Sequence, residues 1–138
     1  IDRYIQNTGY GNQDTSGSLS SYWMESSLKI SPVEQVELLT KLYTNRFDFA
    51  QEHIDSVTDA IRLSSSGAGT LYGKTGTGDV NGKNRNGWFV GYVETADNTC
   101  FFAVNITAAD HADGTAASEI ALSVLSDLGI FQTEEILY

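Results

Sequence analysis

Four consecutive residues, Lys74-Thr75-Gly76-Thr77, bring together a cation, two hydroxyls and a position without a side chain. They sit in a run, Thr70–Gly76, that reads as a β-strand. A lysine on an edge strand presents a point charge to an anionic ligand. Thr75 and Thr77 alternate along the strand, so both can face that ligand. Gly76 lets a substrate lie close against the backbone, and a free backbone N–H here can point at a developing oxyanion. Together these features make a wall for gripping a carboxylate and supporting acyl transfer. Taken alone, Lys74-Thr75-Gly76 also fits a β-turn with a solvent-exposed lysine, so the rest of the chain must decide.

Other chemical patterns fail on spacing. Ser26-Ser27-Leu28-Lys29 has the serine-to-lysine separation of an activated nucleophile. That pairing needs one helical turn, so that the lysine can take the serine's proton. The helix downstream is capped only at Ser31, and Pro32 turns Ser31 away from helical angles, which leaves Ser26 and Lys29 in extended chain. Gly73-Lys74-Thr75 resembles the end of a phosphate-binding loop, but Ala68 replaces the required glycine and a turn, not a helix, follows. His53 and His111 lack partners at metal-ligand spacing. Asp110-His111-Ala112-Asp113 reads as a solvated acidic loop. No metal and no cofactor are expected.

The elements that must position Lys74 follow from periodicity. Ser31-Pro32-Val33-Glu34 is a capping box with proline at the first helical position. Val33, Val36, Leu39, Leu42 and Tyr43 continue it at helical spacing. A second helix is predicted over Phe49–Leu63, with Ala50, Ile54, Val57 and Ile61 inward, and Ser64–Gly69 as a turn. Three strands follow: Thr70–Gly76, Gly87–Glu94 and Thr99–Thr107. The turn-rich Asp79–Asn86 and the short Ala96-Asp97-Asn98 join them, which predicts an antiparallel meander. A last helix spans Thr115–Leu128, with Ala117, Ile120, Ala121, Val124, Leu125 and Leu128 on one face. Gly129 stands where a helix C-cap glycine belongs. Residues 10–22 read as loop.

The chain has 138 residues, 41% of them hydrophobic, and a formal charge of −10. It can build a packed core, and its negative charge argues against nucleic acid or anionic membrane as partners. Cys100 is the sole cysteine, so no internal disulfide can form. Ile1-Asp2-Arg3-Tyr4-Ile5 reads as a helix already under way, without initiator methionine or N-cap, as expected of a piece of a longer chain.

The longer strings settle the first ambiguity. Leu71-Tyr-Gly-Lys-Thr-Gly-Thr-Gly78 followed by Asn86-Gly-Trp-Phe-Val-Gly-Tyr-Val-Glu94, with Tyr10-Gly11-Asn12 and Tyr22–Val36 upstream, resembles the penicillin-recognising serine domains. The likeness is greatest to BlaR/MecR-type β-lactam sensors and class D β-lactamases. It implies an α+β fold, an antiparallel sheet flanked by helices, of which residues 1–138 are the C-terminal half. It implies acylation by a β-lactam on a serine in the N-terminal half, by a sensor or, alternatively, by a β-lactamase that turns over. Lys74 would contact the ligand carboxylate and the proton-relay serine of the other half. Thr75 and Thr77 would hydrogen-bond the carboxylate, Gly76 would let the ligand approach, and the Thr77 backbone N–H would supply one oxyanion donor. Trp23 matches the tryptophan that bonds the active-site lysine in class D enzymes, or else packs in the core. Tyr10 and Asn12 would shape their loop, and Trp88 would pack beneath the site. Class D enzymes carry a carboxylate-binding arginine at a place matching about Ala117; no arginine follows Arg85 here, which favours the sensor. Such a protein would face the outside of the cell membrane, through segments outside this chain, or be secreted. The strand meander would present an unpaired edge for the N-terminal strands to cover.

Overall fold

The computed structural model describes residues 1–132. A four-stranded antiparallel sheet, in the order β1-β2-β3-β4, carries helices on both faces. The strands are β1 (Arg62–Ser66), β2 (Gly69–Val80), β3 (Lys83–Glu94) and β4 (Thr99–Thr107). The helices are α1 (Asp2–Thr8), α2 (Pro32–Tyr43), α3 (Gln51–Ile61) and α4 (Gly114–Asp127).

The meander forms in the expected order, with one strand more. Arg62–Ser66, expected as helix end and turn, pairs with β2 as β1, with Arg62 opposite Tyr72 and Ser66 opposite Gly69. The turn itself shrinks to Gly67-Ala68. Serines scored as loop residues here form an exposed edge strand, because pairing with β2 satisfies their backbone whatever their propensity. The segment Asp79–Asn86, expected as a connection, is mostly strand. Asn81 (φ 56°) and Gly82 (φ 75°) make a two-residue turn with both angles positive, the geometry favoured between twisted antiparallel strands. Lys74 thus lies within a twelve-residue strand, and α3 stops two residues short of the expected Leu63.

Two buried clusters hold α4 on the sheet. Leu71, Val93, Leu125 and Phe131 form one, and Phe89, Ala117 and Ala121 form the other. On this helix the sequence expectation needs correction. Ala117, Ala121 and Leu125 are buried, but Ile120, Val124 and Leu128 are 46%, 48% and 66% exposed. The apolar residues span a wider arc than one sheet face can cover, so α4 keeps a second apolar stripe in solvent. Gly129, at φ 68°, ends the chain's turn here, with its N–H on Ser126 O and that of Ile130 on Leu125 O. On the opposite sheet face, Tyr43 of α2 packs edge-to-face on Tyr92 and Phe101, and Tyr92 stacks on Tyr72. Among the described residues no strand pairs with the outer side of β4.

The α2 capping box forms as read. Ser31 Oγ accepts from Glu34 N–H at 3.2 Å, and Glu34 Oε2 accepts from Ser31 N–H at 2.8 Å. These bonds hold the Glu34 carboxyl below its usual range. Ser31→Ala should lower stability by about 1 kcal/mol, measured by urea denaturation with the helix signal of circular dichroism.

Candidate functional site

β1 pairs with β2 only as far as Tyr72. Beyond it, no strand among the described residues neighbours the outer edge of β2 from Gly73 to Val80, and a cleft of about 550 Å³ opens along it. The Tyr72 carbonyl turns toward β3, where a side chain on Gly91 would collide with it. Backbone groups alternate along a strand, so Thr75 and Thr77 offer theirs to the open edge. Lys74 Nζ donates to Thr75 O there, at 2.6 Å.

Lys74, Thr75, Gly76, Thr77 and Trp23 all line this cleft. The side chains of β2 do not share one face, however. Thr75 and Thr77 lie on the α4 face with Leu71, whereas Lys74 lies on the opposite face, where Gly76 pairs with Trp88 and Lys74 with Val90. A ligand along the edge would meet both faces, with the two hydroxyls on one and the lysine on the other. Thr77 Oγ1 already accepts the Gly114 N–H at 3.0 Å, which ties β2 to the first turn of α4.

Small residues make this docking possible. A Cβ on Gly114 would stand 2.7 Å from Thr75 Cβ, and one on Gly87 would collide with the Asp113 carbonyl. Asp113 caps α4 by accepting the Ala116 N–H at 2.9 Å. The loop before it is pinned to β3, with the Ala112 N–H on Asn84 O at 2.9 Å. Ala117 is fully buried against the Phe89 cluster. In this chain that position belongs to the core.

The loop from Tyr10 to Ile30 forms the opposite wall. Asn12 clamps it: Nδ2 donates to Ser27 O at 2.9 Å, Oδ1 accepts from Lys29 N–H at 2.9 Å, and Asn12 N–H reaches Lys29 O at 2.9 Å. Gly11, with φ 49°, lies against the Lys29 carbonyl where any side chain would collide. This is the loop-shaping role expected of Tyr10-Gly11-Asn12. Burial in the cleft wall pushes the Tyr10 phenol above its ordinary value of 10.0. Trp23 is 54% exposed and packs edge-on against the buried Tyr22. The core place went to Tyr22, and Trp23 faces the cleft. Trp88, expected in the core, also lines it. Residues 24–30 carry no helix. Ser26 Oγ lies where a side chain on Gly17 would be, so it faces that loop.

Sequence reading missed Glu25, Asn86 and Asn105. Glu25 Oε1 accepts from Asn86 Nδ2 at 2.7 Å, and Asn86 Oδ1 accepts from Asn105 Nδ2 at 2.5 Å. The residues are far apart in sequence, and no spacing rule connects them.

A family model for the penicillin-binding protein transpeptidase domain matches residues 1–126. The chain belongs to that family. The regulatory protein BlaR1 of Bacillus licheniformis is 52% identical over 131 residues, which is 95% of this chain and 22% of that protein. The solved C-terminal domain of the Bacillus licheniformis BlaR penicillin receptor superposes with a TM-score of 0.87 at 51% identity. That match covers 95% of this chain and 53% of the receptor domain. A class D β-lactamase of Bacillus subtilis superposes at a TM-score of 0.86 with 32% identity, covering 96% of this chain and 54% of the other. The chain thus spans about a fifth of the curated relative and about half of each solved domain. The transpeptidase-like fold and the sensor-type likeness read from Lys74-Thr-Gly and Tyr10-Gly-Asn hold, with class D enzymes as more distant relatives.

Thr77→Val should cost about 1–3 kcal/mol, because the Gly114 N–H loses its acceptor in a partly buried place. Thr77→Ser should recover most of the loss in the same chemical-denaturation measurement.

Proposed function

We propose that residues 1–138 form the C-terminal half of a β-lactam-binding domain, and that this domain is the sensor of a BlaR/MecR-type antibiotic-response receptor. The N-terminal half of the same domain would carry the serine that the β-lactam acylates. The observation that carries the reading is the open β2 edge, with Lys74, Thr75 and Thr77 beside Trp23 in one cleft, in a chain 52% identical to BlaR1.

The geometry supports the following roles. Lys74 supplies the positive charge for the ligand carboxylate, and its ammonium has no carboxylate partner among the described residues. The Thr75 hydroxyl is available to the same carboxylate. Gly76 leaves the backbone open to close approach. The Thr77 N–H, turned to the open edge, serves as one oxyanion donor when the β-lactam carbonyl becomes tetrahedral. Trp23, half in solvent within this chain, would meet groups of the N-terminal half. The unpaired outer side of β4 and the exposed stripe of Ile120, Val124 and Leu128 support that partner, since both are surfaces a complete domain would cover. No helix among the described residues is long and apolar enough to cross a membrane. Membrane attachment, with this domain on the outer side, would come from other segments.

The class D reading shares the chemistry and differs in deacylation. Mass spectrometry of the complete domain after incubation with benzylpenicillin separates the two. A penicilloyl adduct lasting hours supports the sensor, and rapid loss with continued hydrolysis overturns it in favour of a β-lactamase. The isolated chain should acquire no adduct, and one on Ser26 would show the nucleophile to lie here. Lys74→Ala in the complete domain should slow acylation by an amount equivalent to about 2–5 kcal/mol, read from the rate of adduct formation. An unchanged rate would remove Lys74 from the site.

A further inference from the structure

Glu25 stands at one end of the cleft with its backbone in the left-handed region, at φ 50°. An L side chain other than asparagine or aspartate seldom adopts that conformation, and it is held here by what the side chain does. Glu25 Oε1 accepts from Asn86 Nδ2, and Asn86 is itself fixed by Asn105, whose Nδ2 also donates to Gly87 O at 3.1 Å. The carboxyl and its methylene lie across Gly78. A Cβ on that glycine would collide with Oε1 and stand 2.7 and 2.8 Å from Cδ and Cγ. Amides neutralise no charge, and no cation lies within ion-pair distance of Glu25 among the described residues. The cleft therefore has an anion held by the loop over Gly78 of β2, one residue past Thr77.

Position along the strand gives this charge a meaning, on the β-lactam reading above. Lys74 Nζ reaches along the open edge to Thr75 O at 2.6 Å, and the Thr77 N–H is the next backbone group turned to that edge. A β-lactam presents its ring carboxylate, its reactive carbonyl and its acylamino side chain in that order. With the carboxylate at Lys74 and the carbonyl at the Thr77 N–H, the side chain must continue toward Gly78, which Glu25 overlies. The geometry points to Glu25 as a specificity-determining residue. It disfavours β-lactams with an additional anionic group on the acylamino side chain and favours those with an amine there.

Benzylpenicillin, ampicillin and carbenicillin test this directly, because they share one nucleus and differ in carrying a hydrogen, an ammonium or a carboxylate at the same side-chain carbon. Second-order acylation rates are measured on the complete domain, for the natural sequence and for Glu25→Gln. The glutamine retains an oxygen for the Asn86 bond and removes only the charge. The carbenicillin rate, normalised to benzylpenicillin, should rise about three- to ten-fold in Glu25→Gln, the range for one charge in a half-open cleft. The normalised ampicillin rate should fall, and both changes should shrink as salt is raised. Acylation with both ratios unmoved by the substitution overturns the assignment of Glu25 and leaves the β-lactam reading intact. Acylation by none of the three penicillins brings down that reading and this inference with it.

Discussion

Between the first turn of α4 and the strands above it there is no room for a methyl group on either side. Gly114 lies against Thr75 and Gly76, Gly87 lies against the backbone of Asp113, and the Gly114 N–H donates to Thr77 Oγ1. Because the contact is backbone on backbone, it fixes the height and tilt of β2 more tightly than side-chain packing would. It also finds an acceptor for one N–H that the helix start leaves unsatisfied. The rest of the site depends on it. Lys74, the open edge and the cleft floor all ride on the segment of β2 that α4 holds from below.

The second constraint is the early end of β1. A strand pairing along the whole of β2 would satisfy every outer backbone group and abolish the cleft. β1 follows α3 directly, runs for five residues and carries a register shift between Arg62 and Ser64. The outer edge of β2 is thereby left free next to a loop folded back over it. The loop reaches that position through Asn12, whose amide makes three of its bonds to residues 15 to 17 positions away or to Asp14 nearby. The same free edge that is a liability in most sheets is here covered by the Tyr10–Ile30 loop, and on the proposed reading it is a recognition surface.

Much of this was legible in the residues. The capping box at Ser31, the meander and the Gly129 cap each rest on local chemistry that acts over three or four residues, and they formed where that chemistry placed them, whereas the connection expected over Asp79–Asn86 shrank to Asn81-Gly82. Lys74-Thr75-Gly76-Thr77 was legible as strand, while its reading as a site rested on the likeness of the longer strings around it. Errors arose where tertiary contacts decided. Serine-rich β1 is a strand because β2 offers it a partner. Trp88 lines the cleft because strand alternation puts it on the face that α4 does not cover. Ile120, Val124 and Leu128 fit a helix period as well as Ala117, Ala121 and Leu125 do, and periodicity alone cannot say which arc finds a sheet. Glu25, Asn86 and Asn105 meet across 61 and 19 positions of sequence, and only folding brings them together.

A formal charge of −10 sits awkwardly with the proposal of a carboxylate ligand in the cleft. Screening resolves the conflict. At physiological ionic strength, exposed charges farther away than about 8 Å count for little, so the acidic surface governs solubility and slow steering while the cleft answers to its own few groups. Those are Lys74 and Lys29 on its walls and Glu25 at its end. Lys74 folds onto the Thr75 carbonyl, a neutral acceptor, so an incoming carboxylate replaces a dipole without having to break an ion pair. With a carboxylate partner instead, the lysine would be occupied and the ligand would compete against an interaction of its own kind. The sequence avoids this by placing no acidic residue in β2 before Asp79 or in β3 before Glu94. On the proposed reading, an acidic protein can therefore present a cationic grip, provided that the grip is left unpaired and the nearest fixed anion stands beyond Thr77.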